Sequence, residues 1–463
     1  MTAKNIFSKC AHTLTFVALA TAVLTGCSRF EEEDLFDESA AMRIMHFNED
    51  LQSRLVEQSS NGNNGWVIQY FVASEFEGFN LFGNFYDNGK VKLASNHRFL
   101  RGGNAGKYTE YESFYQVLSE DGPVLAFNTW NDILTVFVDP VDPSQAPSNL
   151  VNDGEGMHGD QNLVFQGYKD NNILFSGERN SGRVRLVPCD RPWEDYIKDT
   201  EDNRNYITNS TITSYYVVCG TDTLYFKNLR SGLFTYCERV NDPLFPSTLN
   251  CVFTPTGFYL QHKNSIAGTS FQEFTLSEDK TCLVSENDSV QVIPTWDTYM
   301  VNVRSATWNF DQEGFTDVQN DLLAQLNAAL QGAFNNTFNI NSVGLGRGRN
   351  VASATQGPVI FFNYSYTNKG KITKASLGIS ATMSVPSFGQ ASIVISPDDP
   401  VDSNMKNFLD RSNTKGLDAE PLVRQFAATL AGTYNMTPDN YFLPTSVLFT
   451  PTEGGTPFTI SNN

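Results

Sequence analysis

Five times along this chain, two short apolar runs are joined by a tight turn rich in Asn, Asp or Gly. Asp87-Asn88-Gly89 links residues 82–86 to 91–93, and Asp121-Gly122-Pro123 links 115–118 to 124–127. Lys169-Asp170-Asn171-Asn172 links 163–166 to 173–175. Cys219-Gly220-Thr221-Asp222 and Asn368-Lys369-Gly370 do the same for 215–218 with 223–226, and for 359–366 with 372–379. Asn, Asp and Gly tolerate the positive φ that two-residue hairpins need. This pattern commits the chain to antiparallel sheet in which sequence neighbours pair. The 35 Phe and 18 Tyr point the same way, because aromatic side chains suit a pleated, half-buried surface. At 40% hydrophobic and 18% charged residues, the chain has enough apolar surface to fold.

Helical spacing is confined to a few stretches. Residues 38–60 read as an amphipathic helix capped by Asp37 or Ser39, with Ile44, Phe47, Leu51 and Leu55 on one face. Thr316-Asp317-Val318-Gln319 fits a capping box, followed by Val318, Leu322, Leu326 and Leu330 at every fourth position. Residues 417–430 read as another helix, with Pro421 in its first turn and Gly432 as its C-terminal cap. Between 206 and 300 the pattern is nearly helix-free and predicts a β-meander. The Thr-, Gly- and Pro-rich tail after Thr450 is expected to fray, and no internal repeat is apparent. The expected fold is α+β and β-dominated: antiparallel sheets or meanders, an N-terminal helix and a C-terminal α+β region. The expected divisions are a signal peptide at 1–26, an acidic tether at 27–37, a helix-plus-β domain at 38–198, a β-meander at 199–310 and an α+β domain at 311–463.

The start of the chain carries an address. Lys4 and Lys9 precede an apolar run over 14–24 that ends in Leu24-Thr25-Gly26-Cys27. The run is too short for a membrane-spanning helix, which needs ~20 apolar residues, and it fits the apolar region of a secretory signal. The four residues form a bacterial lipobox pattern, with cleavage after Gly26 and lipidation of the Cys27 thiol. Several acyl chains would anchor the chain stably, whereas one binds only marginally. Glu31-Glu32-Glu33-Asp34 follows closely. Such an acid cluster is similar to the export signal of lipoproteins that reach the cell surface in Bacteroidota. The expected location is therefore the outer membrane, lipid-anchored and facing outward.

Of the seven Cys, Cys10 is removed and Cys27 is lipidated in this reading, which leaves Cys189, Cys219, Cys237, Cys251 and Cys282. Export makes disulfides possible, and buried free thiols are the alternative. No C-x-x-C is present, so a zinc site is not expected. The chain carries 51 acids against 32 bases, a net charge of −19, which excludes a phosphate-backbone partner.

Several segments together resemble a known family. They are Gly65-Trp66, Tyr70-Phe71, the run from Gly122 through Asn131, Asp139-Pro140, Gly156, Gly159-Asp160, Val164-Phe165 and the stretch from Gly177 to Arg185. Their order and spacing over roughly 35–300 resemble the Bacteroidota lipoproteins catalogued as domain of unknown function 4302. Members typically sit beside starch-utilisation-type receptors, which pair a TonB-dependent channel with a substrate-binding lipoprotein. The resemblance implies an accessory role in nutrient capture, with that receptor and its lipoprotein as partners. It implies no activity.

Chemistry-bearing motifs are sparse. Neither H-E-x-x-H nor G-x-S-x-G occurs. Asp153-Gly154-Glu155-Gly156-Met157-His158-Gly159-Asp160 departs from the EF-hand pattern and reads as a polar loop, so no metal is expected. Gly344-Leu345-Gly346-Arg347-Gly348-Arg349-Asn350 lacks the context of a phosphate loop and reads as a flexible loop. No cofactor is expected, and no catalytic residue is assigned. Trp130 and Asn131, at a strand end, and Asp160 are the expected ligand contacts: a ring can stack on a flat ligand while amides bond its hydroxyls. The leading expectation is a non-enzymatic accessory that binds a glycan, a peptide or a cofactor. The alternatives are a hydrolase with unmarked carboxylates and a structural subunit of the receptor complex.

Overall fold

The computed structural model describes residues 39–60, 62–74, 76–120, 122–139, 156–180, 182–230, 232–237, 247–301, 307–333, 337–346, 359–396, 406, 410 and 419–462. Cys27, Gly26 and the acidic tether lie outside these residues. The chain is β-dominated, with three bodies of antiparallel strands in sequence order.

Helix α1 (Ala40–Gln58) starts where Ser39 Oγ accepts the Met42 N–H at 3.3 Å. Leu51 and Leu55 are buried against the first sheet, whereas Phe47 is 51% exposed. Only the C-terminal half of the expected apolar stripe is used.

The first sheet comprises β1 (Trp66–Phe71), β2 (Phe79–Phe85), β3 (Lys90–Ser95), β4 (Thr109–Phe114), β5 (Gln116–Ser119), β6 (Pro123–Ala126), β7 (Asn162–Lys169), β8 (Asn172–Gly177) and β9 (Arg183–Pro188). Its order is β4-β3-β2-β1-β9-β8-β7-β6-β5. The outermost strands β4 and β5 are separated by Tyr115 alone, so the sheet must curl until its two ends meet at one kinked run. Curling protects edges that would otherwise recruit other chains. Every residue of β1 is buried. Trp66, Ile68 and Tyr70 face the core beneath α1, and Val67 faces Trp193 and Tyr196 on the other side.

Trp193 and Tyr196 belong to α2 (Trp193–Ile207), a helix the sequence pattern did not reveal. Glu194 and Asp195 in its first turn and Arg204 in its last complement the macrodipole. The division expected at 198/199 falls inside it.

The second body is a closed barrel of β10 (Ser214–Cys219), β11 (Asp222–Arg230), β12 (Leu233–Cys237), β13 (Ser247–Phe253), β14 (Gly257–Ile266), β15 (Thr269–Leu276), β16 (Leu283–Ser285) and β17 (Gln291–Pro294). The expected meander closes on itself through pairs such as Val217↔Val292. Phe226, Phe234, Phe258, Phe271 and Phe274 are fully buried in its lumen, with Phe258 and Phe274 centroids 5.1 Å apart. A barrel this small is filled by its own side chains. Cys189, Cys219, Cys251 and Cys282 are free thiols, and burial pushes the Cys251 thiol well up.

After α3 (Trp296–Val301) comes the third body: β18 (Thr307–Phe310), α4 (Asp317–Ala333), β19 (Asn339–Gly346), β20 (Val359–Asn368), β21 (Lys371–Ser380), β22 (Thr382–Ser384), β23 (Gln390–Val394), α5 (Glu420–Ala428), β24 (Gly432–Pro438), β25 (Ser446–Pro451) and β26 (Phe458–Ser461). Its order is β21-β20-β19-β18-β26-β25-β24-β23-β22, and Ala381 alone separates β21 from β22. The first and third sheets thus share one connectivity that sequence comparison within the chain does not reveal.

The capping box forms as expected: Thr316 N–H donates to Gln319 Oε1 at 2.9 Å, and Gln319 N–H donates to Thr316 Oγ1 at 3.2 Å. Leu322, Leu326 and Leu330 enter the core, but Val318 does not. Gly432 opens β24 instead of capping α5. Two loop expectations are corrected. Gly344-Leu345-Gly346 ends strand β19. The tail does not fray, because Phe458 and Ile460 alternate into the core and place β26 in mid-sheet between β18 and β25.

Polar contacts join the bodies. Asn80 Nδ2 donates to Phe253 O at 2.8 Å, and Gly78 N–H donates to Cys251 O at 3.0 Å. At the other junction, the buried Asp297 accepts Thr298 N–H at 2.7 Å, Gly389 N–H at 3.2 Å and the Tyr216 hydroxyl at 3.3 Å. Burial pushes its carboxyl above the usual range.

Candidate functional site

Trp130 ends the segment that follows β6 and stands 48% exposed. Its Nε1–H donates to Asp132 Oδ1 at 2.6 Å, and the Arg101 guanidinium lies 5.5 Å from the ring centroid. Arg101 in turn pairs with Asp139 at 2.7 Å. The indole is therefore held in place while much of it meets solvent. Asn128 and Thr129 beside it are exposed, as is Tyr111 on β4. A pre-oriented ring loses little entropy when a flat ligand stacks on it.

Asn131 serves a different purpose. It is fully buried; its Nδ2 donates to Ser113 Oγ at 2.8 Å and its Oδ1 accepts Ile133 N–H at 3.0 Å. The side chain staples the loop onto β4 and folds the turn behind Trp130, as Asn commonly does.

Asp160 is also buried. Its Oδ1 accepts Arg179 N–H at 3.0 Å and its Oδ2 accepts Asn180 N–H at 3.1 Å, so it ties down the loop between β8 and β9. Its own N–H donates to the Tyr70 hydroxyl at 2.6 Å. A Cβ on Gly177 would stand 2.0 Å from Asp160 Oδ2, which accounts for a glycine there. Asp160 lines an opening of about 370 Å³ together with His158, Glu178, Arg179 and Asn180, to which neither Trp130 nor Asn131 contributes. The three expected contacts do not converge on one cavity. Among the described residues, no group of three or more His, Cys, Asp or Glu could hold a metal ion.

A second cavity, of about 280 Å³, lies between the first sheet, α2 and the barrel. Sequence reasoning missed it, because its parts are far apart along the chain. Within it Arg98 pairs with Glu77, and Asn96 Nδ2 donates to Glu201 at 2.6 Å. His97 is buried there, with Nε2 2.9 Å from Ile133 O and Nδ1 unpaired. Burial pulls its imidazole down to about 4 from 6.5.

This depression carries a pH prediction. Above pH 6.5 both folded and unfolded chains hold His97 neutral. As pH falls from 6.5 towards 4, the unfolded chain takes up a proton that the folded chain refuses, so stability is lost over that window. The loss at this one site reaches about 3 kcal/mol at roughly 1.4 kcal/mol per pKa unit. Urea unfolding at pH 7 and pH 4.5 should show a steeper acid loss for the wild type than for His97→Gln; parallel losses would refute the assignment.

No curated protein matches the chain. Among solved structures, a crystal structure of the DNA polymerase III subunit beta from Pseudomonas aeruginosa is 8% identical, over 91% of this chain and 97% of that chain, at a TM-score of 0.11. A likeness of that size carries no argument about fold or function. The family model for the domain of unknown function (DUF4302) matches residues 32–278, more than half of the chain, so the protein belongs to that family.

Proposed function

We propose that this protein is a lipid-anchored lipoprotein of the outer-membrane surface, acting as a non-enzymatic binding accessory of a TonB-dependent uptake system. The observation that carries the binding role is Trp130, a solvent-facing indole held by Asp132 and Arg101 in the segment that follows β6. Rigid aromatic anchors concentrate binding energy in this way. The lipobox at Cys27 supports the anchor, and the acidic run that follows supports the outward orientation. The ligand is a glycan, a peptide or a flat cofactor, taken by stacking on the indole.

Two measurements test this reading. A detergent pull-down of the tagged chain from its native membrane, with mass spectrometry, should recover a TonB-dependent channel; recovery of no channel counts against the uptake role. Immobilised protein should retain a member of a glycan, peptide and porphyrin panel. Trp130→Ala should weaken that retention by about tenfold, equivalent to about 1.4 kcal/mol. Undiminished retention would move the site elsewhere.

A further inference from the structure

Between the outward face of the first sheet and the outward face of the barrel lies a cleft of about 410 Å³. Strand alternation builds its walls. On β9, Val184 and Leu186 enter the core, so Arg183 and Arg185 point outward into the cleft. On β14, Phe258 and Leu260 fill the barrel, so Tyr259 and Gln261 face them from the opposite wall. Lys169, at the end of β7, adds a third cation.

No carboxylate is among the described residues that line this cleft. That is notable in a chain with 51 acids and 32 bases, because a positive pocket in a negative protein selects an anion. Arg185 is held in place: its guanidinium lies 4.2 Å from the Tyr259 ring centroid and pairs at 3.1 Å with Glu273, outside the lining. Arg183 and Lys169 have exposed side chains with no ion pair among the described residues.

Gln261 adds an amide to the cationic wall. It lies on the outside of a barrel, yet it is only 8% exposed because the first sheet covers it. Its side-chain amide has no hydrogen-bond partner among the described residues. The amide is not among the fully buried unpaired polar groups, so its two donors and its acceptor open to the solvent of the cleft. Nearby, Gln166 donates through Nε2 to Ser176 Oγ at 2.9 Å, which leaves its Oε1 to accept.

We propose that the cleft binds an acidic sugar unit: a carboxylate held by Arg183 and Lys169, with ring hydroxyls bonded by Gln261 and Gln166. An amide both donates and accepts, as a hydroxyl does, so paired amides beside cations fit a carboxylated polyol better than a bare anion. The volume is within the range of small-ligand pockets. This inference concerns a site apart from Trp130 and does not rest on the uptake role.

Isothermal titration of the full chain in detergent provides the test, with digalacturonate as the probe. Its neutral methyl ester and inorganic sulfate are the controls. Digalacturonate should bind, with both controls at least tenfold weaker. Arg183→Gln and Gln261→Leu should each weaken digalacturonate at least fivefold without moving the unfolding temperature. Lys169→Gln, at an exposed position, repeats the charge test should Arg183→Gln fold poorly. Absence of digalacturonate binding overturns the proposal, as does equal binding of either control or indifference to the cleft substitutions.

Discussion

Asp160→Ala is expected to lower the unfolding temperature of the first sheet by about 10 °C. The carboxylate is buried and spends one oxygen on each of two backbone donors, Arg179 N–H and Asn180 N–H. Alanine leaves both without that acceptor. A hydrogen bond to a charged group contributes about 1.5–3 kcal/mol, so loss of the pair costs about 4 kcal/mol. For a body of this size, 1 kcal/mol shifts the midpoint by roughly 2–4 °C. Asp160→Asn keeps the volume and one acceptor, and should fall between alanine and the wild type. Calorimetry of the three proteins checks the ranking. An alanine variant that melts with the wild type would mean the loop between β8 and β9 is held by something else.

Cys27→Ala is expected to move the protein from the detergent phase to the aqueous phase almost completely. Each buried methylene of an acyl chain contributes about 0.8 kcal/mol, and two or more chains together make release negligible. No helix among the described residues is long and apolar enough to span a bilayer and hold the variant in its place. Detergent-phase partitioning and protease shaving of whole cells read the outcome. A variant that stayed in the membrane fraction would place the anchor elsewhere and remove the main support for the proposed location.

What could be read from the sequence was local. The turn at Asp170-Asn171 and the reciprocal bonds of Thr316 and Gln319 are set by residues within four positions of one another, and the structure realises both. The strand order was not legible. β1 pairs with β9 through Trp66↔Pro188, and no local rule reaches that far. Helix α2 was hidden for a different reason. Its buried face reads Trp193, Tyr196, Thr200, Asn203 and Ile207, so two polar residues interrupt the apolar stripe. Asn203 is there because its Nδ2 donates to Thr254 O at 2.8 Å and Gly257 O at 2.9 Å, on the barrel.

The site residues divide along the same line. Asn and Asp serve equally as ligand contacts and as clamps on nearby backbone, and one sequence does not distinguish the two uses. Asn131 and Asp160 are clamps in this structure, whereas Trp130 keeps its exposed face. The basic cleft draws on β7, β9 and β14, which only the fold brings together.

Each of the three bodies is sewn shut at a single seam between its first and last strands: Trp66↔Pro188, Tyr215↔Pro294 and Asn309↔Ser461. Among the described residues, all other pairings join strands that are consecutive along the chain. Folding should therefore run in two tempi. Hairpins zip early from their turns, and the seams close last, after a long loop search. The search cost grows only with the logarithm of loop length. The third seam spans about twice the loop of the barrel seam, and the extra penalty is only about 0.6 kcal/mol. Until a seam closes, two bare strand edges wait on each unfinished body. That interval, rather than the finished fold, is when this chain is most open to pairing with a second copy of itself.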